Sequence, residues 1–418
     1  MNYEDVLSAV TGADFVFHLG GVVSPVAEYY PEKTLKVNVG SSENIVKAVL
    51  AQKNREEIAV VYIGSVAEYG DRMQPIQWGR AGDPMRASAY DMYSVSKCRA
   101  EKLFIDSGLR KWVVLRQSGI LHPGILRVIN ATVFHVPVRG MLEWTTIEDS
   151  ARVMANVVKP EVPEEFWNRV YNVSSGEAYR MTNYEFESRI FSTLGMSSPE
   201  KIFEPQWFAL KNFHGMWYTD ADILEHYLHF RENLPVDDYF KRLGSQLPWY
   251  FRLAFLAPSC LVRTFMKKYA CEKGQGTQSW IGDEGRMKAF YGSEEAWRAI
   301  RTWDDIRPLP IEKNLEQATA LGQVKRLDHG YDESIPIYQL NKEQICAAAA
   351  FRGGRFIGPS EKIGTPGTIF TWECEHGHRF QASLEFVLLA GGWCLECGLD
   401  NFEESVSGKN RFASQVTV

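Results

Sequence analysis

Short apolar runs alternate with stretches of helical periodicity through the first half of the chain. The runs are compact, as expected for strands that are buried on both faces of a sheet. They lie at residues 15–19, 58–63, 112–115 and 170–173. Residues 31–52 and 90–106, which lie between them, place apolar side chains at helical spacing. Strands that alternate with helices predict βαβ units, and therefore an α/β fold built on a parallel sheet.

The pattern changes character further along the chain. Residues 246–340 are rich in tryptophan, phenylalanine and helix-forming residues, which predicts a helical region. Residues 341–400 combine glycine pairs, short strand-like runs and clustered Cys and His, whereas residues 401–418 are polar. We therefore expect an α/β domain over residues 1–245, a helical region, a small metal-binding domain and a tail.

Composition narrows the possible classes of function. The chain has 418 residues, of which 45% are hydrophobic and 23% charged, with a net charge of −6, as in an ordinary globular protein. No run of Lys or Arg indicates a nucleic-acid-binding surface. The uninterrupted apolar stretch Leu253–Val262 is much shorter than the ~20 residues that span a bilayer. The start MNYEDVLSAV lacks a secretory signal, and seven scattered cysteines do not form a disulfide pattern, so we expect a cytoplasmic location.

One motif in the α/β part carries chemistry. Tyr93 and Lys97 form a Y-x-x-x-K pair, and residues at i and i+4 share one face of a helix. A lysine ammonium beside a phenol is expected to lower the pKa of the phenol, so that it can exchange a proton near neutral pH. Ser65 follows a buried strand, at the strand end where ligands bind in open α/β sheets. Its hydroxyl would hold a substrate oxygen against Tyr93.

Several segments together resemble a known family. They are DFVFHLGG, LKVNVGSSENIVKA, VVYIGSVAEYG, YSVSKCRAEKL, WVVLRQSGIL, TTIEDSARVM and VYNVSSGE. In order and spacing they resemble the extended short-chain dehydrogenases/reductases, the NAD-dependent epimerase/dehydratase and 3β-hydroxysteroid dehydrogenase-like group, over roughly residues 1–245. The resemblance implies a Rossmann-like sheet that lacks its first strands, and an activity on a small-molecule carbonyl or hydroxyl that uses NAD or NADP.

The resemblance also implies roles for individual residues. Tyr93 would be the catalytic acid/base, Ser65 would orient the substrate, and Lys97 would lower the pKa of Tyr93 and bind the nicotinamide ribose. Asn38 would hold a water that links Lys97 to solvent. Cofactor contacts are implied for Gly20, Gly21, Tyr93, Lys97, Gln117 and Ser118. Gln117 departs from the family pattern, which has proline at this position.

The Gly-rich loop that grips a dinucleotide pyrophosphate is missing from the pattern. Thr11-Gly12-Ala13 precedes a strand instead of following one, so it does not match this phosphate-binding loop. The strand at residues 15–19 is therefore expected to lie at a sheet edge, covered by a partner or by a second copy of the chain. The chain is a fragment, a degenerate homologue, or a protein in which another segment replaces the lost strands.

Four residues near the C-terminus have the spacing of a zinc ligand set. Cys374 and His378 form C-x3-H, and Cys394 and Cys397 form C-x2-C, with fifteen residues between the halves. Paired halves of this kind favour tetrahedral Zn²⁺ bound by three thiolates and one imidazole. His376 is the rival for the histidine position. Four protein ligands leave no open position, so the pattern predicts a structural site in a zinc-ribbon-like domain.

Two functions from different classes remain open at this point. The first is an NAD(P)-dependent oxidoreductase or epimerase/dehydratase that acts through Tyr93. The alternative is a non-catalytic binding or scaffold protein with a degenerate dehydrogenase fold and a zinc ribbon. His135 is expected either to line the substrate pocket or to be packed, and Asp149 to stand at a helix start or on the surface.

Overall fold

A computed structural model of the chain describes residues 2–127, 129–358, 364–397 and 416–417. Its strands are β1 Phe15–His18, β2 Ala59–Ser65, β3 Trp78–Gly79, β4 Lys111–Gln117, β5 Ile120–Leu121, β6 Met141–Glu143, β7 Thr145–Thr146, β8 Arg169–Val173, β9 Arg180–Thr182, β10 Trp217–Tyr218, β11 Arg326–Leu327, β12 Arg355–Phe356, β13 Ile369–Glu373, β14 Arg379–Ser383 and β15 Val416–Thr417. Its α-helices are α1 Tyr3–Val10, α2 Val26–Tyr29, α3 Pro31–Leu50, α4 Met92–Ile105, α5 Ile147–Asn156, α6 Asn183–Thr193, α7 Ala221–Leu228, α8 Val236–Ser245, α9 Ser259–Ala270, α10 Glu284–Phe290, α11 Glu294–Ala299, α12 Leu315–Ala320 and α13 Lys342–Phe351.

A four-stranded parallel sheet organises the α/β part. Its strand order is β1-β2-β4-β8, and Val60 of β2 pairs with Val16 of β1 and with Trp112 of β4. All four strands therefore end at the same edge of the sheet, where the loops that follow them meet. Within the described residues β1 pairs only with β2, so this strand lies at the sheet edge, as expected from the sequence. The predicted α/β class with a Rossmann-like sheet is confirmed.

The two faces of the sheet bury different sets of side chains. On one face Tyr62 and Val114 pack with Phe104 of α4 and Val49 of α3. On the other face Val61, Val113 and Leu115 pack with Val153 of α5 and Leu224 of α7. Successive strand residues alternate between these two clusters, because side chains point to opposite sides of a strand. Since helices cover both faces, the strands are apolar along their whole length, which is the pattern seen in the sequence.

The C-terminal segment packs on the same core as the sheet. Trp372 and Cys374 of the β13 region and Ile345 of α13 belong to the cluster that contains Tyr62 and Phe104. Main-chain and side-chain bonds join the two parts. Met85 N donates to Gly391 O at 2.8 Å, and Ser383 Oγ donates to Asp106 Oδ1 at 2.5 Å. The domain boundaries stay a prediction, but the segment that was expected to be a separate small domain shares a core with the α/β part.

The helical region predicted for residues 246–340 contains α9 to α12. Its core is aromatic, and Trp280, Phe290 and Met266 pack with Phe134 and Phe208 from the preceding part of the chain. None of the helices among the described residues has the length and apolarity needed to cross a membrane.

Candidate active site and metal centre

Ser65 and Tyr93 meet at the carboxyl end of β2. Ser65 is the last residue of the strand and caps the short 3₁₀ helix that follows, because its Oγ accepts from Ala67 N at 3.1 Å. Asp91 caps α4 by accepting from Ser94 N at 2.8 Å, which places Tyr93 in the first turn. The Ser65 side chain lies close enough to the Tyr93 phenol to lower the pKa of Tyr93 through hydrogen bonding. The two residues therefore lie side by side, and their role in proton transfer stays a prediction.

Lys97 lies one turn further along α4, and its ammonium donates to the backbone of β2. Its Nζ donates to the carbonyl oxygen of Ile63 at 2.5 Å and lies 4.6 Å from the centre of the Tyr62 ring. Burial lowers the pKa of Lys97 to about 8, against the neighbouring carboxylates of Glu68 and Glu101, which raise it.

The pKa of Tyr93 differs from the sequence-based expectation. Burial raises it to about 12, and the nearby carboxylates of Glu68, Asp91 and Glu28 add to the rise, whereas the hydrogen bond from Ser65 lowers it. The expectation that Lys97 brings the phenol pKa below its usual value is wrong for this arrangement. The reason is that the phenol is buried and lies near acidic groups, while the Lys97 ammonium is hydrogen-bonded to the β2 backbone.

The Asn38 side chain, on α3, hydrogen-bonds to the turn after β1 and to α4. Its Nδ2 donates to Val22 O at 2.9 Å and to Ser96 Oγ at 2.8 Å, and its Oδ1 accepts from Val22 N at 2.7 Å. Both N–H groups of the side chain and one lone pair of its oxygen are thus engaged by protein groups, and a water held for Lys97 stays a prediction. A Cβ on Gly21 would lie only 3.2 Å from Asn38 Oδ1, whereas one on Gly20 would meet nothing. Gly21 therefore permits this close approach, and Gly20 is open to solvent.

Gln117 and Ser118 lie at the end of β4 and bond to neighbouring protein groups. Gln117 Oε1 accepts from Ser150 Oγ at 3.0 Å, and Ser118 Oγ is 3.0 Å from Thr145 Oγ1. These bonds tie the end of the central strand to α5 and β7. Cofactor contacts of the two residues stay a prediction, since neither side chain is left unbonded.

Three fully buried ionisable side chains lie next to the site. Arg116 Nη2 lies 2.6 Å from Glu101 Oε1, and Arg116 Nε lies 3.4 Å from Glu68 Oε2. Glu68 Oε1 also accepts from Ser65 N at 2.8 Å, so the cluster touches the catalytic strand end. Burial and the adjacent Glu101 hold the pKa of Glu68 well above its usual value, against Arg116 and Lys97. Sequence reasoning missed this cluster, although an arginine within the apolar run WVVLR was a signal.

Gly64 packs closely against this cluster and leaves no room for a larger side chain. An added Cβ would lie 3.0 Å from Glu68 Oε1 and 3.1 Å from both Glu101 Oε2 and Arg116 Cγ. We expect Gly64→Ala to lower the free energy of unfolding by about 1–3 kcal/mol, because overpacked cores are strained. Gly40→Ala, in α3 with no atom within 4 Å of the new Cβ, is the control and should stabilise by about 0.5–1 kcal/mol. Urea midpoints measure both, and a Gly64 variant as stable as the wild type would contradict the expectation.

Tyr93 faces a cavity of about 300 Å³ that also contains Glu28, His135 and His214, which we call the Tyr93 cavity. His214 Nδ1 lies 2.9 Å from Asp91 Oδ2, so the residue that caps α4 also orients this imidazole. His135 lines the cavity and is bonded through Nε2 to Gln275 O at 2.6 Å, and burial lowers its pKa to about 4. Sequence reasoning did not identify Glu28 or His214, because they are far from Tyr93 in the chain.

Asp149 stands in the first turn of α5, and it is buried instead of lying on the surface. It accepts from Ser175 Oγ at 2.5 Å and from Glu232 N at 3.0 Å. These bonds are structural, which agrees with the expectation that Asp149 marks a helix start.

The four predicted metal ligands lie together. Their donor atoms are all within 4.8 Å of one another, and those of Cys374 and Cys397 are 3.7 Å apart. His378 Nδ1 lies 3.6 Å from Cys394 Sγ and 3.5 Å from Cys397 Sγ. Tetrahedral zinc with its usual bond lengths requires S···S near ~3.8 Å and S···N near ~3.5 Å. The donor set and spacing therefore fit zinc, and His376 lies outside the cluster.

The segment that precedes Cys394 also contacts the buried Arg116. Arg116 Nη2 donates to the carbonyl oxygen of Ala390 at 2.7 Å, four residues before Cys394. A continuous chain of contacts thus runs from the Cys/His cluster through Arg116 and Glu68 to Ser65.

Comparison with known proteins supports the same family. Residues 1–128 match the model of the 3-beta hydroxysteroid dehydrogenase/isomerase family. The chain is 31% identical over 147 residues to 3 beta-hydroxysteroid dehydrogenase type 7 of Rattus norvegicus, which covers 34% of this chain and 41% of that protein. The chain thus spans about two fifths of the length of this curated relative. The predicted resemblance to the extended short-chain dehydrogenases/reductases is confirmed for the N-terminal part.

Solved structures show weaker similarity over a larger part of the chain. UDP-glucuronic acid 4-epimerase from Bacillus cereus is 13% identical with a TM-score of 0.43, covering 61% of this chain and 81% of that one. L-threonine 3-dehydrogenase from Trypanosoma brucei is 16% identical with a TM-score of 0.44, covering 59% and 81%. At these scores the fold assignment rests on the sheet order itself.

Proposed function

We propose that this chain is an NAD(P)-dependent oxidoreductase or epimerase/dehydratase of the extended short-chain type. The observation that carries the proposal is the proximity of Tyr93 to Ser65 at the carboxyl end of β2, with Tyr93 facing a cavity. Hydroxyl groups that meet at the carboxyl edge of a parallel sheet are placed to act on a ligand oxygen. The similarity of residues 1–128 to the 3-beta hydroxysteroid dehydrogenase/isomerase family supports the same assignment.

The residues divide the chemistry between them. Ser65 would hold the carbonyl oxygen, and Tyr93 would donate a proton to it, because a phenol with a pKa of about 12 is protonated at neutral pH. A bound nicotinamide would supply or accept the hydride. Tyr93 and Ser65 fit the proton transfer, and the exposed Gly20 leaves room in the turn after β1. Lys97 donates one of its three N–H groups to Ile63 O and would use another to contact a ribose.

We also propose that Cys374, His378, Cys394 and Cys397 bind one structural Zn²⁺. The support is their mutual spacing together with the burial of all three thiols. Four ligands complete a tetrahedral shell and leave no position for substrate, so the ion would stabilise the C-terminal segment and take no part in the reaction.

Titration with NADH and NADPH tests the enzyme proposal. The full chain is mixed with each nucleotide, and nicotinamide fluorescence reports binding. We expect saturable binding of at least one nucleotide, followed by substrate-dependent absorbance change at the nicotinamide band with a panel of apolar ketones and alcohols. Absence of nucleotide binding would reject the proposal and favour the non-catalytic alternative.

A further inference from the structure

A second cavity of about 390 Å³, which we call the apolar cavity, adjoins the Tyr93 cavity. Thr132, Phe213 and His214 belong to the walls of both. The apolar cavity also reaches Val66, which directly follows Ser65, and Gly119, which directly follows Ser118. Its size lies within the range of small-molecule sites, and it opens from the strand ends that carry the proposed chemistry.

The wall contributed by α6 contains a single carboxylate. Phe186, Ile190 and Phe191 line the cavity from one face of this helix, and Glu187 lies among them at the same helical spacing. A helix that presents an apolar face to a cavity gains stability from Leu or Met at such a position. An ionised carboxylate there is unfavourable unless something compensates for its lost hydration.

The described part of the protein provides no such compensation. Three other polar side chains of the wall have partners. Asn183 Nδ2 donates to Val136 O at 3.2 Å, Thr132 bonds to Asn130, and His214 bonds to Asp91. No described residue donates a hydrogen bond to Glu187 or forms an ion pair with it. Glu187 is half-buried, and desolvation raises its pKa to about 7.

We propose that Glu187 is the ligand-recognition residue of the apolar cavity, which binds an apolar molecule through its one hydrogen-bond-donating group, a hydroxyl or an ammonium. The apolar body fills the cavity, and the donor group bonds to the carboxylate. The proposal rests on the proposed function only in that the same molecule would present its reacting carbonyl or hydroxyl at Ser65 and Tyr93. An unpaired ionisable group in a concave apolar site is typical of ligand recognition.

Three rigid probes with the same apolar body test the proposal: 1-adamantanamine, 1-adamantanol and adamantane-1-carboxylate. Calorimetric titration of the full chain, with its metal retained and without nucleotide, measures each affinity. We expect the amine and the alcohol to bind and the carboxylate to be rejected by Glu187. The affinity of the amine should rise as the pH increases through about 7, where Glu187 ionises.

Two variants separate the two donor classes. Glu187→Gln should keep the alcohol and weaken the amine about tenfold, and Glu187→Met should weaken both about tenfold, as expected for loss of a bond to a charged group. Glu316→Met, an exposed carboxylate on α12, is the matched control and should change nothing. If the amine arm fails and the alcohol arm holds, the natural donor is a hydroxyl, and the reverse result assigns an ammonium.

Two results would overturn the proposal: no probe binds the wild type, or Glu187→Met binds all probes as the wild type does. A melting temperature of Glu187→Met at or above that of the wild type shows that lost binding is not lost folding. Tyr93→Phe should bind the probes normally even if it is inactive. Failure of nucleotide binding therefore leaves this test unaffected, and the two proposals fail separately.

Discussion

Tyr93→Phe is expected to lower kcat by about 10²–10⁴-fold, because it removes the proposed proton donor and keeps the ring that fills the site. Nucleotide affinity and the melting temperature should stay close to the wild type. The reason is that, among the described groups, Ser65 is the one whose hydrogen bonding shifts the pKa of the Tyr93 hydroxyl. The measurement is the turnover of whichever substrate the nicotinamide absorbance assay identifies, together with an NAD(P)H titration of the variant.

Tyr227→Phe is the matched control. Tyr227 packs beside the sheet face that faces away from Tyr93, in the cluster of Val61 and Leu224. Losing its hydroxyl should leave turnover unchanged. If Tyr93→Phe kept wild-type turnover, the phenol would not be the proton donor and the proposed mechanism would fall.

Cys394→Ser is expected to release the metal and to lower the free energy of unfolding by at least about 3 kcal/mol, since structural zinc sites contribute ~10 kcal/mol or more. The effect should spread beyond the C-terminal segment, because Cys374, Cys394 and Trp372 belong to the same core as Phe104 of α4. Metal analysis of the natively purified chain should find one zinc per wild-type chain and none in the variant. Thermal unfolding reports the stability loss.

Two controls use residues of the same types outside the cluster. Cys260 is exposed on α9, and His376 is exposed beside His378 without belonging to the donor group. Cys260→Ser and His376→Ala should both keep the zinc. A wild-type chain that carries no zinc, or a Cys394 variant with full stability, would contradict the assignment.

The position of Ala390 connects these two predictions. Its carbonyl oxygen accepts from Arg116, which in turn balances the buried Glu68 and Glu101 next to Ser65. Removing one partner of a buried charge cluster leaves the remaining charges uncompensated. Loss of the metal should therefore reduce turnover as well as stability, although the donor atoms are not part of the active site.

Local sequence signals account for the strands, the helices and the pairing of motifs with strand ends. The runs at 15–19, 58–63 and 112–115 had the continuous apolar character of strands covered on both faces, and they form adjacent strands of the sheet. Ser65 was correctly placed at a strand end and Tyr93 near the start of a helix. The spacing of the four Cys and His residues similarly predicted a cluster that the structure assembles.

These local patterns do not predict contacts between segments that are distant in the chain. Y-x-x-x-K spacing places Lys97 on the same helix face as Tyr93, but the bond that it makes depends on where the Ile63 carbonyl lies. The same holds for Asn38, whose amide is satisfied by Val22 and Ser96. Roles transferred from a resemblance depend on such contacts, which a short sequence pattern does not contain.

The sequence by itself determined the α/β class, the strand-end position of Ser65, the helical position of Tyr93 and the Cys/His ligand set, because these depend on periodicity and on short spacings. Only the tertiary structure decided that Arg116 joins Glu68 and Glu101, that Glu187 faces an apolar cavity, and that the C-terminal segment shares the core of the sheet. Those features bring together residues far apart in the chain. Burial then sets their charges, and burial is a property of the packed molecule.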